Sequence, residues 1–126
     1  MFRHEPYINL RTFRKDLRGV DTPVWFVRLQ GQSKTLYVFT NKFSGKLKRI
    51  KNNNIAEICV CDFKGKATSD WVKTKITTST DFVVYSKVID ACKKKYGWKM
   101  HILNFFSEHF NRRMDRAIIE IHLKSD

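Results

Sequence analysis

At 126 residues, with 42% hydrophobic side chains and ten Phe, the chain has the length of one domain, residues 1–126, and enough apolar surface to close a core, which excludes a disordered polymer. Twenty-five Lys and Arg against twelve Asp and Glu leave a net charge of +13, so an anionic partner is expected: nucleic acid, an acidic surface, or a small molecule bearing phosphate or carboxylate. No apolar run approaches membrane-spanning length and residues 1–6 lack a signal peptide's apolar stretch; no membrane partner and a cytoplasmic location are expected, with Cys59, Cys61 and Cys92 reduced.

Residues 7–13 alternate, with Tyr7, Asn9, Arg11 and Phe13 on one side and Ile8, Leu10 and Thr12 on the other, which predicts a strand. Residues 14–19 make a charged connection. A second strand is expected over residues 22–29, where Pro23 fits the strand start or a sheet edge. A turn at residues 31–34 leads to a third strand over residues 35–40, completing an antiparallel meander. Ser44 then reads as a helix N-cap, followed by Leu47 and Ile50 at helical spacing and ended by Asn52, Asn53 and Asn54. Strands return over residues 55–61 and 71–77, separated by a turn at residues 63–66.

From Asp81 the period changes to helical, with Val84, Val88, Ala91 and Cys92 on one stripe, Asp81 as cap and Gly97 as stop. A further helix is expected over residues 98–113, its Trp98, Phe105, Phe106 and Phe110 serving as core or dimer contacts rather than base-stacking platforms. Residues 117–123 form the closing strand. The order β-β-β-α-β-β-α-α-β predicts a mainly β fold with flanking helices, economically closed as a six- or seven-stranded antiparallel barrel that leaves few exposed edges.

The densest chemical signal is residues 40–49. A strand ends at Thr40 and a helix opens at Ser44 and Gly45, where free N–H groups and the positive dipole end attract phosphate. Gly45 permits close approach, Ser44 offers a hydroxyl and Lys46 supplies charge. On a helical wheel Leu47 and Ile50 are buried, Lys46 and Lys51 flank them, and Lys48 and Arg49 point away. The spacing by itself favours an ordinary capped basic helix over a phosphate site.

Thr22-Pro23-Val24-Trp25-Phe26 followed by Ser44-Gly45-Lys46-Leu47-Lys48-Arg49-Ile50, then Cys61-Asp62-Phe63-Lys64-Gly65-Lys66 and Trp71, resembles the pyridoxamine 5'-phosphate oxidase-like FMN-binding split barrels. More narrowly it is similar to their F420-dependent oxidoreductase subgroup, over residues 7–76. The resemblance implies a split β-barrel and a homodimer with two cofactor sites at its interface. Phosphate would rest on Thr40, Ser44, Gly45 and Lys46, with Lys48 or Arg49 behind them. Thr22, Pro23, Val24 and Trp25 would run beside the ring, with Trp71 in the same pattern. Such sites pass a hydride between the ring and a small organic substrate. Two departures stand out: Leu17 follows Asp16 where the pattern has Gly, and Thr68-Ser69-Asp70 replaces a Gly/Pro-rich stretch beside the expected partner subunit. The Lys- and Asn-rich usage keeps FMN beside F420 as the cofactor.

The rivals are a non-catalytic barrel that binds or carries flavin or haem, and a basic nucleic-acid-binding barrel, the latter disfavoured. Metal binding is not expected, because Cys59 and Cys61 lack a second pair and His4, His101, His109 and His122 stand at no ligand spacing. Cys59 and Cys92 read as buried thiols, and Asp62 as a turn cap. Lys93, Lys94 and Lys95 suit the negative end of a helix.

Overall fold

A computed structural model describes residues 2–41, 45–97 and 116–123. The helix expected over residues 98–113, Ser44, and the histidines His101 and His109 lie outside the described residues. In chain order the elements are β1 (Ile8–Phe13), β2 (Gly19–Val24), β3 (Thr35–Asn41), α1 (Gly45–Asn52), β4 (Ile55–Val60), β5 (Val72–Ser79), α2 (Phe82–Tyr96) and β6 (Arg116–His122).

The six strands form one curled antiparallel sheet in the order β2-β1-β4-β5-β6-β3. Its two edges meet where Val27 and Tyr37 exchange backbone hydrogen bonds of 2.9 and 2.8 Å. This is a six-stranded split barrel with flanking helices. The second strand departs from its expected bounds. It begins at Gly19 and leaves its ladder after Val24, because pairing with β1 rather than local β propensity sets its extent.

Alternation sorts each strand into two faces. Ile8, Leu10, Leu36, Val38, Ile58, Ile76, Ile119 and Ile121 point into the barrel, joined there by Phe26 and by Leu47 and Ile50 of α1. Outward-facing Val27, Tyr37 and Ile118 pack instead against Val88, Cys92 and Tyr96 of α2.

The α2 ends follow from side-chain chemistry. Asp81 Oδ1 accepts the Val83 N–H at 2.8 Å, and Gly97, at φ 59°, donates its N–H to the Lys93 carbonyl at 3.0 Å. Leu17 occupies a left-handed backbone at φ 70°, at the position where the resemblance has Gly. Asp62 caps its turn as expected, accepting from the N–H groups of Lys64 and Lys66, both at 2.9 Å. Among the described residues no helix is long and apolar enough to cross a membrane.

Candidate functional site

The antiparallel register at Val27 and Tyr37, continued toward the open end, sets Trp25 opposite Phe39 and Val24 opposite Thr40. The described bridges between the barrel edges stop short of these pairs, and a pocket of about 280 Å³ occupies the gap. Pro23, Val24 and Trp25 line one wall, Phe39 and Thr40 the other, Lys46 of α1 closes one end, and Tyr7 and Phe63 complete the lining. The site is therefore the split itself.

Five residues singled out in the sequence meet here: Pro23, Val24, Trp25, Thr40 and Lys46. Thr40 is buried in the wall. Burial, and then the nearby Arg49 guanidinium, hold the Lys46 ammonium below the ordinary lysine range. Burial and the charge of Arg14 act on Arg49 in the same direction. Lys46 at the pocket, Arg49 behind it and Arg14 beyond thus form a run of cations that leads away from the lining. Neither Lys46 nor Arg49 makes an ion pair among the described residues. An anion placed here would relieve that crowding and favour the charged ammonium.

The other singled-out residues stand elsewhere. Thr22 lies on β2 one residue before the lining, opposite Leu10. Gly45 opens α1 beneath the Arg49 side chain: a Cβ there would lie 2.8 Å from Arg49 Nη1. Arg49 does not point away as the wheel predicts. Its Nε donates to Thr12 Oγ1 at 2.6 Å, tying α1 to β1. Lys48 is exposed on α1. Trp71 lies on the barrel's other outer face, with the Arg11 guanidinium 3.8 Å from its ring centre. Arg11 is held there by Asp21 at 2.7 Å and Glu57 at 3.5 Å.

Tyr7, Phe39 and Phe63 were not singled out as site residues. Phe39 could have been found from its place beside Thr40, and Phe63 from its place inside the 61–66 motif. Phe63 lines the pocket with 68% of its surface exposed. Its turn is fixed by Asn9, whose Nδ2 donates to the Gly65 carbonyl at 2.6 Å. Gly65 adopts φ 88°, which favours glycine.

The three thiols are buried. Burial pushes Cys61 up to about 11 and Cys92 up to about 12, so both are neutral thiols near neutral pH. Among the described residues no group of three or more His, Cys, Asp or Glu could hold a metal. The pocket's described lining offers one phenol, one hydroxyl and one ammonium among apolar walls. That set can orient an anionic, partly aromatic ligand.

No family model matches the chain, and no curated protein matches its sequence. Solved structures match its fold. The haem-storage protein HutZ of Vibrio cholerae superposes with a TM-score of 0.68 at 12% identity, over 97% of this chain and 84% of that one. An F420 reductase gives 0.65 at 17% identity, over 98% and 90%. A pyridoxamine 5'-phosphate oxidase-related, FMN-binding protein of Nostoc punctiforme gives 0.63 at 16% identity, over 97% and 72%. The fold is therefore that of the pyridoxamine 5'-phosphate oxidase-like split barrels.

Proposed function

We propose that the chain binds a flavin-type cofactor, FMN or F420, in the split and serves as an oxidoreductase acting on a small organic substrate. The observation that carries this reading is the pairing of Lys46 and Thr40 with the apolar wall of Val24 and Trp25 in one pocket. Lys46 and the start of α1 would hold the phosphate, and Val24, Trp25 and Phe39 would flank the ring. A bound flavin or deazaflavin supplies the hydride chemistry; the protein's part is to grip the phosphate, orient the ring and keep water from its walls.

A homodimer belongs to the same proposal. One chain offers about 280 Å³, at the small end of ligand pockets, and leaves Phe63 exposed at its rim. A second subunit over that rim would enlarge the site and cover the ring. The outer strip of Arg11, Asp21, Glu57 and Trp71 carries no packed helix among the described residues and leaves room for that approach.

Purified protein is first examined for a flavin or deazaflavin absorption band, then titrated with FMN and with F420 by fluorescence. Binding tighter than about millimolar supports the reading, and absence of binding of both removes it. Lys46→Ala should weaken binding roughly tenfold or more, as loss of a charge-assisted hydrogen bond to phosphate implies. Lys94→Ala, on the exposed side of α2, should leave it unchanged. Equal losses would mean that bulk charge attracts the ligand.

A carrier is the second reading, favoured by the likeness of the fold to a haem-storage protein and by a lining that would hold a ligand whether or not it is turned over. Tight binding with no reduction by a donor and no reoxidation by an acceptor would select it. Steeply salt-dependent affinity for a generic oligonucleotide, with no flavin binding, would instead select a basic nucleic-acid-binding barrel.

A further inference from the structure

Strands β1 and β2 pair with Ile8 opposite Val24, and the same register carried two residues further sets Pro6 opposite Phe26. Proline has no N–H to give the Phe26 carbonyl, and the ladder stops. Phe26 is fully buried, so its N–H and C=O still need partners.

Both partners come from the last turn of α2. The Tyr96 hydroxyl accepts the Phe26 N–H at 3.1 Å and donates to the Pro6 carbonyl at 2.8 Å, with the Phe26 carbonyl also 3.1 Å away. Lys95 Nζ donates to that Phe26 carbonyl at 2.9 Å, in place of the missing proline N–H. The hydroxyl is thus inserted between Pro6 and Phe26, which face each other just beyond the ends of β1 and β2, where a direct Phe26 N–H to Pro6 C=O bond would otherwise form.

Tyr7 follows Pro6, Trp25 precedes Phe26, and both line the pocket. The Tyr7 carbonyl accepts the Cys61 N–H at 3.3 Å, which ties it toward β4. The Trp25 ring stacks on the Tyr96 ring, centres 4.1 Å apart and planes 7° from parallel, which ties it toward α2.

We infer that Tyr96, assisted by Lys95, is a positioning residue of the pocket: its inserted hydroxyl sets the separation of Tyr7 and Trp25, and so the room left for a ring beside Trp25. The ligand part rests on the flavin-type reading. The separation itself does not.

Tyr96→Phe keeps the ring and the stack and removes the spacer, so that β1 and β2 can close by another pair. In that variant, affinity for riboflavin, which lacks phosphate, should fall at least tenfold. Affinity for inorganic phosphate, held at Lys46, should stay within twofold. Lys95→Met should move riboflavin affinity the same way by less, and it keeps the test open should Tyr96→Phe fold poorly. A merely structural role would weaken both probes alike or neither, and either result overturns the inference. Should the wild type bind no riboflavin, the nuclear Overhauser contact between the Tyr7 and Trp25 rings decides, while the flavin reading still stands or falls on FMN and F420. That contact strengthens in Tyr96→Phe if the hydroxyl is a spacer; an unchanged contact overturns the inference.

Discussion

The barrel interior and the layer beneath α2 are both buried, yet they are built by different rules. The interior is nearly all aliphatic, with Ile8, Leu10, Leu36, Ile58, Ile76, Ile119 and Ile121 filling it. Such side chains require only removal from water and a fitting shape. The layer beneath α2 holds Tyr37, Cys92 and Tyr96, with Trp25 and Phe39 partly buried against it. Its polar atoms need named partners, and Tyr96 and Lys95 find theirs on the backbone of Phe26 and Pro6. The pocket lies on the boundary, because neighbours on one strand face opposite ways: Val24 packs on the interior, Trp25 on the α2 layer. A site placed there inherits rigidity from one side and specific geometry from the other.

The sharpest way to break this division is Phe26→Ala, since the Phe26 ring fills the interior while its backbone is held by α2. Loss of a fully buried Phe should lower unfolding free energy by about 3–5 kcal/mol, read by urea denaturation. A loss below about 1 kcal/mol would mean that the ring is not an interior residue.

A smaller change confined to the α2 side is Asp81→Ala, which removes the cap on Val83. Stability should fall by about 0.5–2 kcal/mol. The near-ultraviolet circular dichroism of the Trp25–Tyr96 stack should persist below the unfolding transition, because that contact lies at the other end of the helix.

The smallest expected effect is on pH dependence. Burial brings Lys95 down to about 8, against the pull of Glu5 and Cys92 and with a slight push from Arg28. Between about 8 and the ordinary lysine value of 10.5, the unfolded chain binds the extra proton, so this group makes stability rise with pH through that window. Cys61 and Cys92, raised by burial, act oppositely above about 9, where the unfolded chain loses their protons first. The comparison is therefore made with Lys95→Met: the Tm of wild type minus that of the variant should increase between pH 7 and pH 10. A flat difference would show that Lys95 keeps its charge at no penalty.

Much of the fold is legible in the sequence, because strand alternation and helix caps are local. Ile8, Leu10 and Thr12 share the interior face that their spacing predicts, and Asp81 and Gly97 bracket α2. The second strand differs from its expected bounds because Trp25, Phe26 and Val27 have strand-like composition but lie beyond the β1 ladder. Whether they pair depends on what lies across from them, and that includes a proline nearly twenty residues earlier. The candidate site is legible in part. Thr40 and Lys46 reach the pocket because a strand end and a helix start adjoin in the chain. Arg49 could not be placed by a wheel, since its partner Thr12 is 37 residues away. Trp71 is likewise drawn to Arg11, an interaction with no local signal.

Residue order alone thus determined the succession of the described strands and helices, most of their apolar faces, and that a basic helix start follows the third strand. These are short-range consequences of periodicity, capping and charge. Tertiary structure decided where the barrel splits, which cation faces the gap, and that α2 supplies the hydroxyl between Pro6 and Phe26. The reason is physical: a hydrogen bond is satisfied by whatever donor or acceptor the packed chain brings within about 3 Å, and that neighbour is chosen by topology rather than by distance along the sequence.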